Sequence, residues 1–265
     1  MSSWNLLSWN VNGVRAVAKK GFIEWLQGEA PDILCIQETK SQESQLDAKI
    51  TDVDGYTSYW SEAEKKGYSG VGVYTRHEPI SVEKGFGEER FDSEGRTLVL
   101  EYPDFTLFNV YFPNGKQNAQ RLQYKMDFYD TILAHWESLR ADGKKLVICG
   151  DVNTAHKAID LARPKDNEKI SGFLPMEREW IDKIVDMGYV DTFRQYDEGP
   201  DNYTWWHLMS GARKRNVGWR IDYFYVTEDL MPSVSNAWIM PDVMGSDHCP
   251  IGIEVGVGLV TLSSV

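Results

Sequence analysis

The stretch Lys145–His156 reads KLVICGDVNTAH. Leu146–Cys149 is a short apolar run rich in β-branched residues, the pattern of a buried strand. The run gives way at once to Asp151 and Asn153. One Asp at a strand end is most often a turn former or a helix cap. Here the arrangement recurs. LLSWNVNG ends its apolar run at Asn10 and Asn12, DILCIQETK ends at Glu38, WRIDYFYV carries Asp222 inside its run, and GSDHCPI opens with Asp247 and His248. Separate strands thus each present Asp, Asn, Glu or His at or near one end. That repetition implies a sheet rim on which polar groups converge.

Working outward, apolar runs at Asn5–Val11, Ile33–Gln37, Gly70–Tyr74, Thr97–Glu101, Thr106–Phe112, Leu146–Cys149, Ile221–Val226 and Ile251–Val255 read as strands. Tyr102–Phe105, YPDF, reads as a hairpin turn. Val14–Gln27 reads as a helix. So does Gln117–Asp142, where Leu122, Met126, Tyr129, Leu133, Trp136 and Leu139 step by three and four. Glu177–Met187 is a third, with Pro175 near its start and Gly188 at its end. Helices mixed with both hairpins and crossovers predict an α+β or layered α/β fold with mixed sheets. A single domain over residues 1–257 is expected, followed by a flexible tail at 258–265.

The chain has 265 residues, enough for a large core, and a formal charge of −12. An acidic total argues against indiscriminate nucleic-acid binding, which rests on Lys and Arg. Local basic clusters remain: Lys65-Lys66, Lys144-Lys145, and Arg213-Lys214-Arg215 with Arg220. Cys35, Cys149 and Cys249 lie in or beside apolar runs without metal-ligand spacing, which predicts buried free thiols in a reducing compartment. No run is long enough to span a bilayer and no leader pattern is present, so a cytoplasmic, membrane-independent protein is expected. No oligomerisation signature stands out, and a monomer is expected.

Asp222 between Ile221 and Tyr223 must be paired, because a carboxylate in a core strand is costly alone. His248 is the natural partner, and the couple would orient the imidazole and favour its charged form. Clustered Glu, Asp and Asn oxygens form a hard donor set suited to Mg²⁺ or Mn²⁺. Zinc is disfavoured by the absence of HExxH or Cys–His spacing. No Gly-rich phosphate loop ending in Lys-Ser/Thr and no G-x-S-x-G elbow occurs. A divalent cation, a carboxylate base and an imidazole together match phosphoester hydrolysis.

At these residues the sequence resembles the exonuclease III family of abasic-site endonucleases, within the wider endonuclease/exonuclease/phosphatase group that includes DNase I. The resemblance runs from about Asn5 to Glu254. It is carried in order by SWNVNGVRA, DILCIQETK, KGYSGVGVYTR, EGR, VYFPNG, ICGDVNTAH, IDLARPK, SGFLPMEREWID, YTWW, NVGWRIDY and GSDHCPI. It implies a four-layered α/β/β/α sandwich of two mixed sheets flanked by helices, with the site at one rim. It places the metal on Glu38, with Asn10 close by, Asp247 near, and Asn12 where some relatives carry Asp. It assigns nucleophile activation to Asp151, supported by Asn153, and the Asp–His couple to Asp222 and His248. Tyr111 and Asn114 would contact the scissile phosphate or the leaving oxygen.

The resemblance also implies double-stranded DNA bearing abasic or damaged sites as partner. Trp205, Trp219 and Ile221 fall where the family builds a small pocket for a flipped-out, base-free sugar. Arg15, Lys40, Tyr68 and Arg96 fall at backbone-contact positions, and Lys116 matches a basic residue that inserts near the lesion. Asn167 is retained, while Ile170 stands where some relatives have Asn. Lys125, on the long helix, is a further DNA-contact candidate. The implied activity is cleavage 5′ to abasic sites with 3′–5′ exonuclease and 3′-end cleaning, and cleavage at lesions such as deoxyuridine stays open. Two alternatives stay open as well: a phosphoesterase acting on inositol-phosphate or sphingolipid headgroups, and a non-catalytic DNA-binding relative.

Overall fold

The computed structural model describes residues 2–209 and 211–258. Residues 259–265, the larger part of the expected tail, lie outside the described residues. In chain order the strands are β1 (Ser2–Asn10), β2 (Ile33–Gln37), β3 (Thr57–Ser61), β4 (Val71–Thr75), β5 (Ser81–Lys84), β6 (Thr97–Glu101), β7 (Thr106–Tyr111), β8 (Leu146–Asp151), β9 (Tyr189–Asp191), β10 (Trp205–Trp206), β11 (Gly218–Trp219), β12 (Asp222–Thr227), β13 (Val234–Ile239) and β14 (Ile251–Val257). The helices are α1 (Val14–Ala18), α2 (Phe22–Glu29), α3 (Ala48–Thr51), α4 (Glu89–Asp92), α5 (Ala119–Ala141), α6 (Pro164–Asn167), α7 (Pro175–Asp186) and α8 (Thr192–Tyr196).

Two six-stranded sheets form, ordered β13-β14-β1-β2-β4-β3 and β5-β6-β7-β8-β12-β9, with β10 and β11 pairing as a separate ribbon. The sheets pack on each other through Leu6, Ile33, Cys35, Val71 and Val73 from the first and Leu98, Leu107, Val147, Cys149 and Phe224 from the second. The outer face of the first sheet is covered by Val14, Val17, Phe22, Leu26 and Ile50 of α1, α2 and α3. The outer face of the second is covered by Phe128, Ile132 and Trp136 of α5 and by Trp180, Ile181 and Ile184 of α7. The layers therefore run α/β/β/α, as the family resemblance implied. Central strands are buried on both faces, which is why they read as continuous apolar runs rather than alternating ones.

The expected hairpin at Tyr102–Phe105 forms, with the Tyr102 N–H donating to the Phe105 carbonyl. The expected helix Val14–Gln27 is two helices, because Gly21 at φ 89° breaks the run and opens α2. The long helix runs Ala119–Ala141, capped by Asn118, whose side chain accepts from the Arg121 N–H. The third begins at Pro175, two residues before the expected start. Among the described residues no helix is long and apolar enough to cross a membrane.

Register brings the polar strand ends together. β1 and β2 are parallel, with Asn10 opposite Gln37, and β7 and β8 are parallel, with Tyr111 opposite Asp151. β12 runs antiparallel to β8, so its first residue, Asp222, lies opposite Asp151. β14 runs antiparallel to β1, so its start follows His248 at the same rim. Strand parity then aims the side chains. Asn10 shares the inward face of Leu6, Asp151 that of Val147 and Cys149, and Asp222 that of Phe224 and Val226. The rim is also the place where the inter-sheet layer turns polar. Gln37 donates to Ser8 and Asn109, and Asn109 donates to the Ile36 and Gly72 carbonyls.

Candidate active site

Two matching turns open the site. After β1, the Asn12 N–H donates to the Asn10 Oδ1 at 3.0 Å, and Asn12 adopts φ 48°. After β8, the Asn153 N–H donates to the Asp151 Oδ1 at 2.8 Å, and Asn153 adopts φ 57°. Glu38 and Lys40, after β2, are left-handed too, at φ 57° and 52°. Strained backbone outside glycine is uncommon and concentrates where a site needs side chains aimed. Gly150 makes room for the rim: a β-carbon there would strike the Val110 carbonyl oxygen.

Across the gap between the sheets, the Asn10 amide Nδ2 donates to the Glu38 Oε2 at 3.0 Å and to the Asp151 Oδ2 at 2.9 Å. One amide thus holds two carboxylates from different sheets. The Asp151 Oδ2 lies 3.8 Å from the His248 Nε2, and the His248 Nδ1 donates to the Asp222 Oδ2 at 2.8 Å. Thr204 donates to the same Asp222 oxygen at 2.6 Å. The couple read from sequence therefore forms. The Asn153 Nδ2 donates to the Phe112 carbonyl at 3.0 Å, and its Oδ1 accepts from Asn114 at 2.9 Å. Asp247 accepts from Asn12 at 2.8 Å and, through its other oxygen, from the Trp205 indole at 3.0 Å. Lys40 pairs with Glu38 at 2.8 Å and donates to Asn12 at 2.6 Å.

The electrostatics follow from that packing. Burial works against a charged His248, but Asp222, then Asp151 and Asp247, overcome it and hold the imidazole pKa up at about 10. Asp151 moves the other way from an ordinary carboxylate: burial and the nearby Asp222 push it up to about 7, against the pull of His248, Asn10 and Asn153. Burial and the Glu38 and Asp151 carboxylates keep the Tyr111 phenol protonated. Asp151, Asp222 and His248 lie close enough to form a possible metal-binding group. The imidazole in that group is committed to Asp222 and cationic, which suits a proton donor better than a ligand. Glu38 and Asp151 offer hard oxygens that converge on the Asn10 amide, and Asp222 Oδ1 is buried with no partner among the described residues. This donor chemistry fits a small divalent cation.

Beside the imidazole lies a partly buried aromatic cluster. The Trp205 ring is 6.5 Å from His248 and edge-on to Trp219 at 6.3 Å, with Ile221, Leu161, Phe173 and Ala155 behind. The Lys116 ammonium sits 5.0 Å over Trp205 and 5.2 Å over Trp219. Leu208 and Met209, 73% and 70% exposed, follow the pocket strand. Sequence reading passed over them because nothing in the sequence says which apolar residues stay outside.

Other expected contact residues divide. Arg15 is exposed on α1 and borders a cleft of about 890 Å³ between the α1–α2 region and α3. Arg96 is buried and serves the interior, donating to the Tyr111 carbonyl, the Tyr68 hydroxyl and Glu94. Tyr68 is tied into the same network with Arg121. Asn167 spends its amide on the Arg163 carbonyl in its own turn. Lys125 corrects the expectation of a DNA contact: it is fully buried and donates to the Asn153 carbonyl, Thr154 and Glu177. Arg220 likewise leaves the basic cluster, buried against Asp160 and Asp191.

Residues 7–248 match the Endonuclease/Exonuclease/phosphatase family. The chain belongs to that family. Within it, the chain is 44% identical to the exodeoxyribonuclease of Bacillus subtilis (strain 168) over 255 residues, covering 95% of this chain and 99% of that protein. It is 43% identical to the DNA repair nuclease APEX1 of Danio rerio, covering 97% of this chain and 83% of that one. Among solved structures, the AP endonuclease of Leishmania major superimposes with a TM-score of 0.88 at 31% identity, covering 97% of this chain and 88% of that one. The family and fold read from the motifs are thus borne out, and with them a nuclease of DNA repair.

Proposed function

We propose that this family member cuts the phosphodiester 5′ to abasic sites in double-stranded DNA, and that it also removes nucleotides and blocking groups from 3′ ends. The observation that carries the reading is the convergence of Glu38, Asn10, Asp151 and the Asp222–His248 couple beside the Trp205–Trp219 ring pair. The relatives support it: their names include an AP endonuclease, an exodeoxyribonuclease, and a 3′ phosphatase solved with a product DNA hairpin.

Asp151, held by Asn10 and Asn153, accepts the proton of the attacking water. Cationic His248, oriented by Asp222, donates to a non-bridging phosphate oxygen. Tyr111, Asn114 and Asn153 position the phosphate. Mg²⁺, or Mn²⁺ in its place, would be held by Glu38 with Asn10, with Asp247 and Asn12 alongside. When bound, the cation stabilises charge on the phosphate and on the departing 3′ oxygen. Trp205, Trp219 and Ile221 accept a bare deoxyribose and leave no room for a stacked base. Lys40 and Arg15 contact the DNA backbone, and Lys116 inserts near the lesion. The protein acts as a monomer, in a reducing cytoplasm suited to its three free buried cysteines.

The test is cleavage of matched duplexes containing a tetrahydrofuran abasic analogue, a deoxyuridine, or neither, with Mg²⁺ and with EDTA. Rapid Mg²⁺-dependent cutting of the abasic duplex at its 5′ side is expected. Equal cutting of the undamaged duplex, or activity only on inositol-phosphate or sphingolipid headgroups, would refute the reading.

A further inference from the structure

Behind the Asn153 turn lies an ion pair enclosed by protein. The side chains of Lys125 on α5 and Glu177 on α7 are both 0% exposed and meet at 2.7 Å. The ammonium has three N–H groups, and three acceptors surround it: Glu177 Oε1, Thr154 Oγ1 at 2.8 Å and the Asn153 carbonyl at 2.7 Å. Asn153 is therefore gripped at both ends. Its N–H is on Asp151 and its carbonyl is on Lys125, which supports a left-handed backbone that a non-glycine residue adopts only under constraint.

Glu177 extends the grip. Its Oε1 also accepts from Ser171 at 2.8 Å, and its Oε2 accepts from the Gly172 N–H at 2.6 Å and the Leu174 N–H at 3.0 Å. Gly172 lies between the Asn153 carbonyl and the Trp219 ring: a β-carbon there would approach them to 3.3 and 3.2 Å. Its carbonyl accepts from Ala155. One buried pair thus joins the turn after Asp151 to the loop against Trp219.

We propose that Lys125, anchored by Glu177, is a positioning residue for the phosphate-cleaving step: it holds the Asn153 turn, and with it Asp151, in register with the Trp219 side of the sugar pocket. The proposal rests on the abasic-endonuclease reading above. Lys125 does not touch DNA, since its side chain is 0% exposed, and it acts through the turn it holds. Misplacing a catalytic turn costs rate far more than affinity.

The experiment compares wild type with Lys125→Met and with Lys125→Met/Glu177→Met, the second avoiding an unpaired buried carboxylate. Single-turnover cleavage of a tetrahydrofuran duplex at saturating enzyme is measured in Mg²⁺, duplex affinity in EDTA, and folding by circular dichroism. The double variant should fold and bind the duplex about as tightly as wild type, yet cut about 100-fold more slowly. Cleavage within about threefold of wild type, or rate and affinity falling together with folded fraction, would overturn the proposal. A measurement on wild type stands whether or not the variants fold: with ζ-¹⁵N-lysine labelling, the Lys125 ammonium protons should exchange slowly, free and with duplex bound. Exchange as fast as surface lysines would also overturn it. If wild type cuts no abasic duplex, the functional reading fails; if it cuts and the folded double variant matches it, this inference alone fails.

Discussion

Asp222 is the residue on which the charge state of the site turns. Its carboxylate meets His248 at 2.8 Å in a buried setting that would otherwise favour neutral imidazole. Asp222→Asn keeps the shape and removes the charge. The His248 pKa should then fall well below about 10, read by NMR titration of the imidazole. Asp151→Asn should lower single-turnover cleavage by about 10²–10⁴-fold, the range for a lost base, while leaving the fold intact. Some of this was legible: Asp222 within a core strand demanded a partner, and His248 was the available one. Lys125 and Arg220 were not. A Lys on a long helix and an Arg beside an aromatic look solvent-facing until a carboxylate from a distant segment is seen to meet them. Glu177 lies 52 residues from Lys125, and Asp191 lies 29 from Arg220.

At the scale of elements, Arg220 separates Trp219 and Ile221, the residues of the proposed sugar pocket, and fixes their loop. Its guanidinium binds Asp191 through two nitrogens, at 2.7 and 3.1 Å, and Asp160 at 2.8 Å. Arg220→Ala would leave the buried Asp191 carboxylate without its cation and Asp160 with Arg194 alone, so urea unfolding should show a loss of about 3–5 kcal/mol. The strands visible in the sequence were those in the interior of the sheets. The full-length strands missed were β3, β13, β5 and β9, and these are the sheet edges. An edge strand has one open side and mixes polar with apolar residues, as in SVEK of β5, so its pattern carries little signal. The two-residue ribbon β10–β11 is too short for any periodicity. The split between α1 and α2 was hidden because apolar spacing continues past Gly21.

For the whole molecule, both buried titrating groups of the site hold protons more tightly than in the unfolded chain. Asp151 is pushed up to about 7 and His248 to about 10. Deprotonation therefore works against the folded state, and the stability these groups contribute is lost as pH rises through those values. In EDTA, Asp151 should make Tm decline between pH 3.8 and about 7 and His248 between pH 6.5 and about 10, and Asp222→Asn should flatten the upper part of that decline. Turnover by the proposed mechanism runs the opposite way at first, since there Asp151 must be ionised to accept a proton, so cleavage should rise through about pH 7. With a net charge of −12, the proposed DNA binding requires a local basic face, for which Lys116, Lys40 and Arg15 are the proposed residues. Affinity should fall steeply with salt, by roughly 0.9 log units per tenfold salt for each phosphate contacted.

The central claim is that carboxylates and an imidazole from both sheets act on one phosphate. Its most direct test is the single-turnover cleavage of one tetrahydrofuran duplex by folded Glu38→Gln, Asp151→Asn and His248→Ala proteins, each beside wild type. The account predicts that each loses at least about 100-fold in rate, the two variants of the first sheet, at Glu38 and His248, being as damaging as the one of the second, at Asp151. Cleavage by any one of them within about threefold of wild type would contradict it.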